Sequence, residues 1–258
     1  MYVGLAWHFW HTRWRREGPK GLRGWERAAI LVPLALHAWL LYHGIFEKEL
    51  RFGFAQALSV MMFLGAALYW VESLFYPVEG MQPLVLALAA VAAPLPALFP
   101  GLAASGAHAQ AAEFKLHLAL AMIAYGLFVI ALLHAALMAV AERQLHRKGT
   151  VAFPHLPPLL TLETLLFRMI GVAFLFLTLT LLSGIAFSEA LFGRALRFDH
   201  KTVFALLSWV IFAWLLVGRL RYGWRGRTAL RWTLTGFVML LLAYVGSRFV
   251  LEVLLGRS

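Results

Sequence analysis

Residues 113–145 read EFKLHLALAMIAYGLFVIALLHAALMAVAERQL. Between Phe114 and Ala141 only Lys115, His117 and His134 interrupt the apolar and small residues. A helix rising about 1.5 Å per residue over such a block is long enough to cross a hydrocarbon core of about 30 Å. The block is continuous rather than alternating, which excludes a membrane β-strand. Similar blocks flank it at Trp25–Phe46, Phe54–Val71, Gln82–Phe99, Leu165–Phe187, Lys201–Val217 and Trp232–Leu255. The expected fold is an all-α, polytopic transmembrane helix bundle. It has seven full spans plus a short first helix, in a single integral membrane domain over residues 1–258.

Composition agrees. The chain is 62% hydrophobic and 14% charged, with a mean hydropathy of +0.77; soluble domains carry far more charge. Net charge is +11, yet the positive residues cluster beside the spans, which argues for membrane anchoring and against nucleic acid. The chain contains no cysteine, so disulfides, thiol exchange and covalent C-x-x-C-H haem attachment within it are excluded. In Gln82–Phe99, Pro94 and Pro96 are expected to kink or break the helix and make it partly re-entrant.

Arg13, Arg15, Arg16, Lys20, Arg23 and Arg27 form one basic group; Arg143, Arg147, Lys148 and Arg168 a second; Arg219, Arg221, Arg225, Arg227 and Arg231 a third. Seven spans put all three on one side, expected to be cytoplasmic by the positive-inside rule, with the C-terminus periplasmic. Loop 72–80 has neither Lys nor Arg and is neutral to this scheme. The opening MYVGLAWHFWHTRWRR places its charge after the apolar run, the reverse of a secretory signal. It reads either as an interfacial helix or as the latter half of a longer first span, which would bring the total to eight.

The ten histidines carry the chemistry. His43, His117 and His200 come to the outer level on three different helices, with His37 deeper in the second block. His117 and His134 are 17 positions apart, about 25 Å along a helix, and do not share a site. A histidine inside a span is costly and is either satisfied by a neighbouring Ser or carbonyl or functional. His8, His11, His108, His146 and His155 are expected to be solvated. The sharper reading is a bis-histidine haem site, since iron accepts two axial imidazoles and the macrocycle takes an aromatic slot. No H-x-x-x-H or H-E-x-x-H zinc pattern, G-x-S-x-G, P-loop or dinucleotide fingerprint occurs. GRLRYGWRGRTALRW (218–232) reads as a cytoplasmic anchor, and Glu163 in LPPLLTLETLLFR (156–168) as a helix-capping or packing residue.

The His117-x7-Tyr125 pattern with its closing basic segment resembles the His-led span of the CcsA/HemX group of cytochrome c assembly membrane proteins. HKTVFALLSWVIFAWLLVGRLRYGWRGR followed by WTLTGFVMLLLAYVGSRFVLE is similar to the C-terminal half of that group, closest to YpjD-like inner membrane proteins. The resemblance runs from Trp25 onward, with His200, Lys201 and Gly223–Gly226 as its firmest local anchor. It implies an eight-span fold and a role in carrying haem or presenting it to apocytochrome c. It matches His117 to the group's His ahead of the Tyr pattern and His37 to an early-span His. Two marks of haem-presenting members are absent: the W-G-x-x-W-x-W-D segment, replaced by LFGRALRFDHKTV, and the late outer His, since YVGSRFVLEVLLG has none.

The expectation is a haem-handling inner membrane protein that assists cytochrome c assembly without being an enzyme itself. His117 and His200 are the expected iron ligands, with His37 and His43 as further haem-binding candidates. Lys201 would meet a haem propionate and Asp199 would orient the His200 imidazole. Partners would be membrane lipid, haem, and an apocytochrome c or other assembly protein that supplies the thiols. The rival readings are a permease whose His37 and His134 mark a polar path, and a non-catalytic scaffold.

Overall fold

The computed structural model describes residues 1–14, 22–46, 51–76, 78, 80–101, 111–145, 158–192 and 199–255. Helix α1 (Tyr2–Phe9) continues as a π-helical turn to Trp14. It is followed by α2 (Gly24–Phe46), α3 (Phe54–Phe75), α4 (Gln82–Ala92), α5 (Leu95–Leu98), α6 (Ala112–Leu145), α7 (Leu159–Phe192), α8 (His200–Tyr222) and α9 (Gly226–Leu241). The last helix runs on from α9 to Leu254 through π-helical turns at Leu242–Gly246 and Val250–Leu254.

Six of these helices are long and apolar enough to cross a membrane. The stretch expected as the third span does not join them as one helix. Its first part, α4, stops after 11 residues, about 16 Å of helix and too short to span. Pro94 lies in the turn that follows and Pro96 enters α5, where the missing N–H groups prevent a continuous ladder. Helix α1 packs against α4, so two short elements lie side by side. Trp14 ties them by donating its indole N–H to Gly80 O at 3.0 Å.

Helix α6 is the axis. It packs on α3, α7 and α9, and its middle, Leu127–Ala131, is buried. Lipid is as apolar as leucine, so helices associate here by close fit rather than by hydrophobic exclusion of water. The fit uses small residues: a Cβ at Gly126 would sit 2.7 Å from the Leu64 Cβ on α3. At Gly236 the backbone of α9 meets the Phe212 ring of α8, and Phe212 stacks on Phe128 of α6 with centroids 3.9 Å apart.

Helix ends are closed locally. Asp199 caps α8 by accepting from the Thr202 N–H at 2.9 Å and from the Thr202 hydroxyl at 3.0 Å. Gly223, at φ 63°, ends the same helix, and Trp224 N–H closes onto Gly218 O at 3.2 Å. At the α3 start, Gln56 accepts from Gly53 N–H at 3.0 Å and donates to Phe99 O at 3.2 Å, tying α3 to the end of α5.

One end of the bundle gathers most of the ion-paired arginines among the described residues. Glu163 on α7 meets Arg219 of α8, and Arg225 of the α8–α9 turn lies 3.3 Å away. Glu163 is thus an ion-pair partner that clamps α7 to the α8–α9 hairpin, not a cap. Arg168 donates to Tyr76 at 2.7 Å, and Glu142 faces Arg227 at 3.8 Å. Arg13, read from sequence as one of a basic group flanking the spans, is 2% exposed and donates to Glu26 at 2.7 Å. His8 also contacts Glu26, at 3.1 Å, and Nε2 of His11 is buried, so neither histidine is freely solvated. His108, His146 and His155 lie outside the described residues.

Candidate functional site

At the opposite end, α6, α7, α8 and the last helix enclose a cavity of about 450 Å³, within the range of sites that hold a medium-sized organic ligand. Its walls are apolar, with Phe114, Leu118, Met122, Leu181 and Leu206 among them. His117 enters from the start of α6. Its Nδ1 lies 2.8 Å from Ser183 Oγ on α7, and the Ser183 hydroxyl donates to Thr180 O at 2.9 Å. The serine hydrogen is committed to that carbonyl, so Ser183 Oγ accepts from Nδ1–H and the histidine lone pair lies on Nε2. Gly184 leaves room for the ring: a Cβ there would stand 3.3 Å from His117 Cε1. Phe187 meets the imidazole edge-on at 6.2 Å.

The charged lining consists of Lys201, Arg248 and Asp199. Asp199 is engaged in capping α8. Burial pushes its carboxyl up, but the Thr202 hydrogen bonds and the nearby Lys201 and His200 hold it below the usual range. Arg248 and Lys201 are close enough to repel each other. Arg248 also lies 5.9 Å above the Tyr244 ring and 4.0 Å from Glu252. Lys201 and Arg248 are balanced here by Asp199 and by Glu252, so the rim offers cationic N–H donors to an anion without a net positive charge.

The other expected site residues fall elsewhere. His200 opens α8 but is exposed and does not line the cavity, although Asp199, Lys201 and Thr202 around it do. Successive side chains on a helix point about 100° apart, so only some of this cluster faces inward. The expected His117–His200 pair is therefore not assembled in this structure. His37 is 1% exposed and lies between α1, α2 and α3. Its Nε2 is 2.9 Å from Ser59 Oγ and its Nδ1 is 3.3 Å from Tyr2 OH, so hydroxyls occupy both ring nitrogens. His43 is half-buried beside Trp39 and Tyr42 near the end of α2.

Sequence reasoning missed Ser183, Thr180 and Arg248. Hydroxyls within an apolar helix carry no pattern that singles out the one facing a histidine. Arg248 had a legible signal: it is the cation in YVGSRFVLEVLLG, the segment where haem-presenting relatives were expected to carry a late histidine.

Residues 25–255 match the family model described as Cytochrome C assembly protein. This chain belongs to that family. Over 138 residues it is 33% identical to Inner membrane protein YpjD of Escherichia coli (strain K12), covering 54% of this chain and 52% of that relative. A similar 35% over 142 residues relates it to an uncharacterized 28.8 kDa protein of Azospirillum brasilense, covering 55% of this chain and 52% of the relative. Cytochrome c biogenesis protein CcsA of Chlamydomonas reinhardtii is 31% identical over 143 residues, 55% of this chain and 40% of its own length. The chain thus spans about half the length of the curated relatives it matches. No solved structure matches.

The family's association with cytochrome c assembly makes haem the group to test against this cavity. The donor set fits it on one face: an imidazole with its lone pair on Nε2, an apolar enclosure, and two cations for carboxylates. Among the described residues the cavity supplies no second histidine.

Proposed function

We propose that this protein handles haem during cytochrome c assembly, receiving it in the cavity headed by His117. The observation that carries the reading is the commitment of His117 Nδ1 to Ser183, which leaves Nε2 as an electron-pair donor beside an apolar cavity. Metal-ligating histidines are oriented in this way, by a hydrogen bond from the other ring nitrogen. Haem brings the iron and the porphyrin. The protein contributes one imidazole ligand, apolar walls that exclude water, and Lys201 with Arg248 to neutralise the propionates. The chain lacks cysteine, so attachment would take place on a separate apocytochrome or assembly partner, with this protein as carrier rather than enzyme.

The setting is a bacterial inner membrane, crossed several times, with the basic end cytoplasmic and the cavity at the periplasmic side. Six long apolar helices, the stretch Gln82–Leu98 that runs back along α3 to meet its start, and the clustering of Arg beside the helix ends support that orientation.

Protein purified from haem-replete membranes should show a Soret band that is lost in His117→Ala. His200→Ala should leave the band nearly unchanged, because that side chain lies outside the cavity. Absence of a Soret band in the wild type, or a band indifferent to His117→Ala, would overturn the proposal.

A further inference from the structure

A second polar centre lies in the other half of the bundle, between α3 and α6. Sequence reading placed Glu72 in a loop after Val71, but α3 continues to Phe75 and Glu72 is 4% exposed. His134 on α6 is fully buried. Its Nε2 stands 3.1 Å from Glu72 Oε1, and its Nδ1 is 2.9 Å from Ile130 O, one turn back on α6.

These contacts determine a proton count. A carbonyl oxygen only accepts, so Nδ1 of His134 carries a hydrogen. A neutral ring with hydrogen on Nδ1 presents a lone pair at Nε2, and an ionised carboxylate presents only lone pairs. Two such atoms at this separation, away from water, repel one another. One additional proton removes the conflict. On the carboxyl it makes a neutral acid facing a neutral ring; on Nε2 it makes a carboxylate facing an imidazolium. Either arrangement is neutral overall, as a buried pair within a span requires. Apart from that 3.1 Å contact, neither Glu72 oxygen nor His134 Nε2 has a hydrogen-bond partner among the described residues, and this favours the acid form, since an ionised carboxylate left bare is the costlier.

We infer that Glu72 and His134 form a proton-binding site inside the bundle, holding one proton between carboxyl and imidazole at neutral pH. The site is separate from the His117 cavity and does not depend on the haem reading. Its ligand is a proton from solution, taken up with no other reactant.

The test uses the full chain in lipid nanodiscs at neutral pH, with carbon-13 glutamate and nitrogen-15 histidine. Infrared spectroscopy reads the carboxylic C=O band, and NMR reads the protonation of both His134 ring nitrogens, with His134 identified by sequential assignment along α6. The expected result is one of two signatures: a protonated carboxyl band that disappears in Glu72→Gln, or a His134 ring protonated on both nitrogens. Glu72→Gln should fold, because its amide N–H can donate to Nε2 in place of the acid. The wild-type spectra alone decide if it does not. An ionised Glu72 beside a His134 protonated on one nitrogen would overturn the inference.

Discussion

Ser183 sets what His117 can do. It accepts from Nδ1–H and passes its own hydrogen to Thr180 O, so one hydroxyl fixes both the tautomer and the tilt of the imidazole. Removing an outer-shell partner of this kind costs about 10–100-fold in metal affinity. Ser183→Ala should therefore weaken haem binding by that factor, read by titration in detergent, while leaving the melting temperature nearly unchanged. His37→Ala should do the reverse. It strips partners from the buried Tyr2 and Ser59 hydroxyls, a loss of about 1–3 kcal/mol, with haem titration unaffected. His37 was legible in sequence as a costly intramembrane imidazole, but not as a satisfied one. Tyr2 and Ser59 lie 35 and 22 positions from it, and no local pattern announces such partners.

Asp199 governs the element that leads from the cavity rim. Its carboxylate caps α8, and Thr202, Lys201 and His200 favour the charged form over the opposing effect of burial. A carboxyl lowered on folding stabilises the fold above its ordinary range, and that contribution is lost as pH falls through the lowered value. Protection of the Thr202 and Val203 amides, taken relative to the intrinsic exchange rate at each pH, should fall on acidification in the wild type. In Asp199→Asn, which keeps an acceptor but does not titrate, that pH dependence should vanish; Asp199→Ala should cost about 1 kcal/mol at neutral pH and less once the wild-type carboxyl is protonated. Helix pairing is equally local in origin. Because Gly126 lies against Leu64, Gly126→Val should lower the melting temperature by forcing α3 from α6, and Leu64→Ala should partly restore it. A further increment of destabilisation in the double variant would show that the two sites do not touch.

Across the whole molecule, the arginine-rich ion-pair cluster and the cavity lie at opposite ends. Glu163, Arg219, Arg225, Arg168, Glu142 and Arg227 gather where α7 begins and α8 ends. Only Asp199, Lys201 and Arg248 supply charge to the cavity lining. If the basic end is cytoplasmic, alkaline phosphatase, which works only outside the cytoplasm, should be active when inserted within 102–110 and inactive within 146–157. The opposite pattern would invert the orientation and place the cavity at the cytoplasmic side.

The amino-acid sequence by itself determined that the chain crosses a membrane as helices, which stretches do so, and where Pro94 and Pro96 end a helix early. These follow from hydrocarbon thickness and from backbone hydrogen bonding, both of which act on contiguous residues. Sequence also singled out His117, through a resemblance of its span to the His-led span of a known group. Only the tertiary structure decided which polar side chains share a site. It set His117 with Ser183, Lys201 and Arg248, left His200 exposed, sealed His37 with hydroxyls, and brought Glu72 to His134. Those pairings depend on helix rotation and on close approach at Gly126 and Gly236. A rotation of one residue, about 100°, is enough to move a histidine from cavity to lipid.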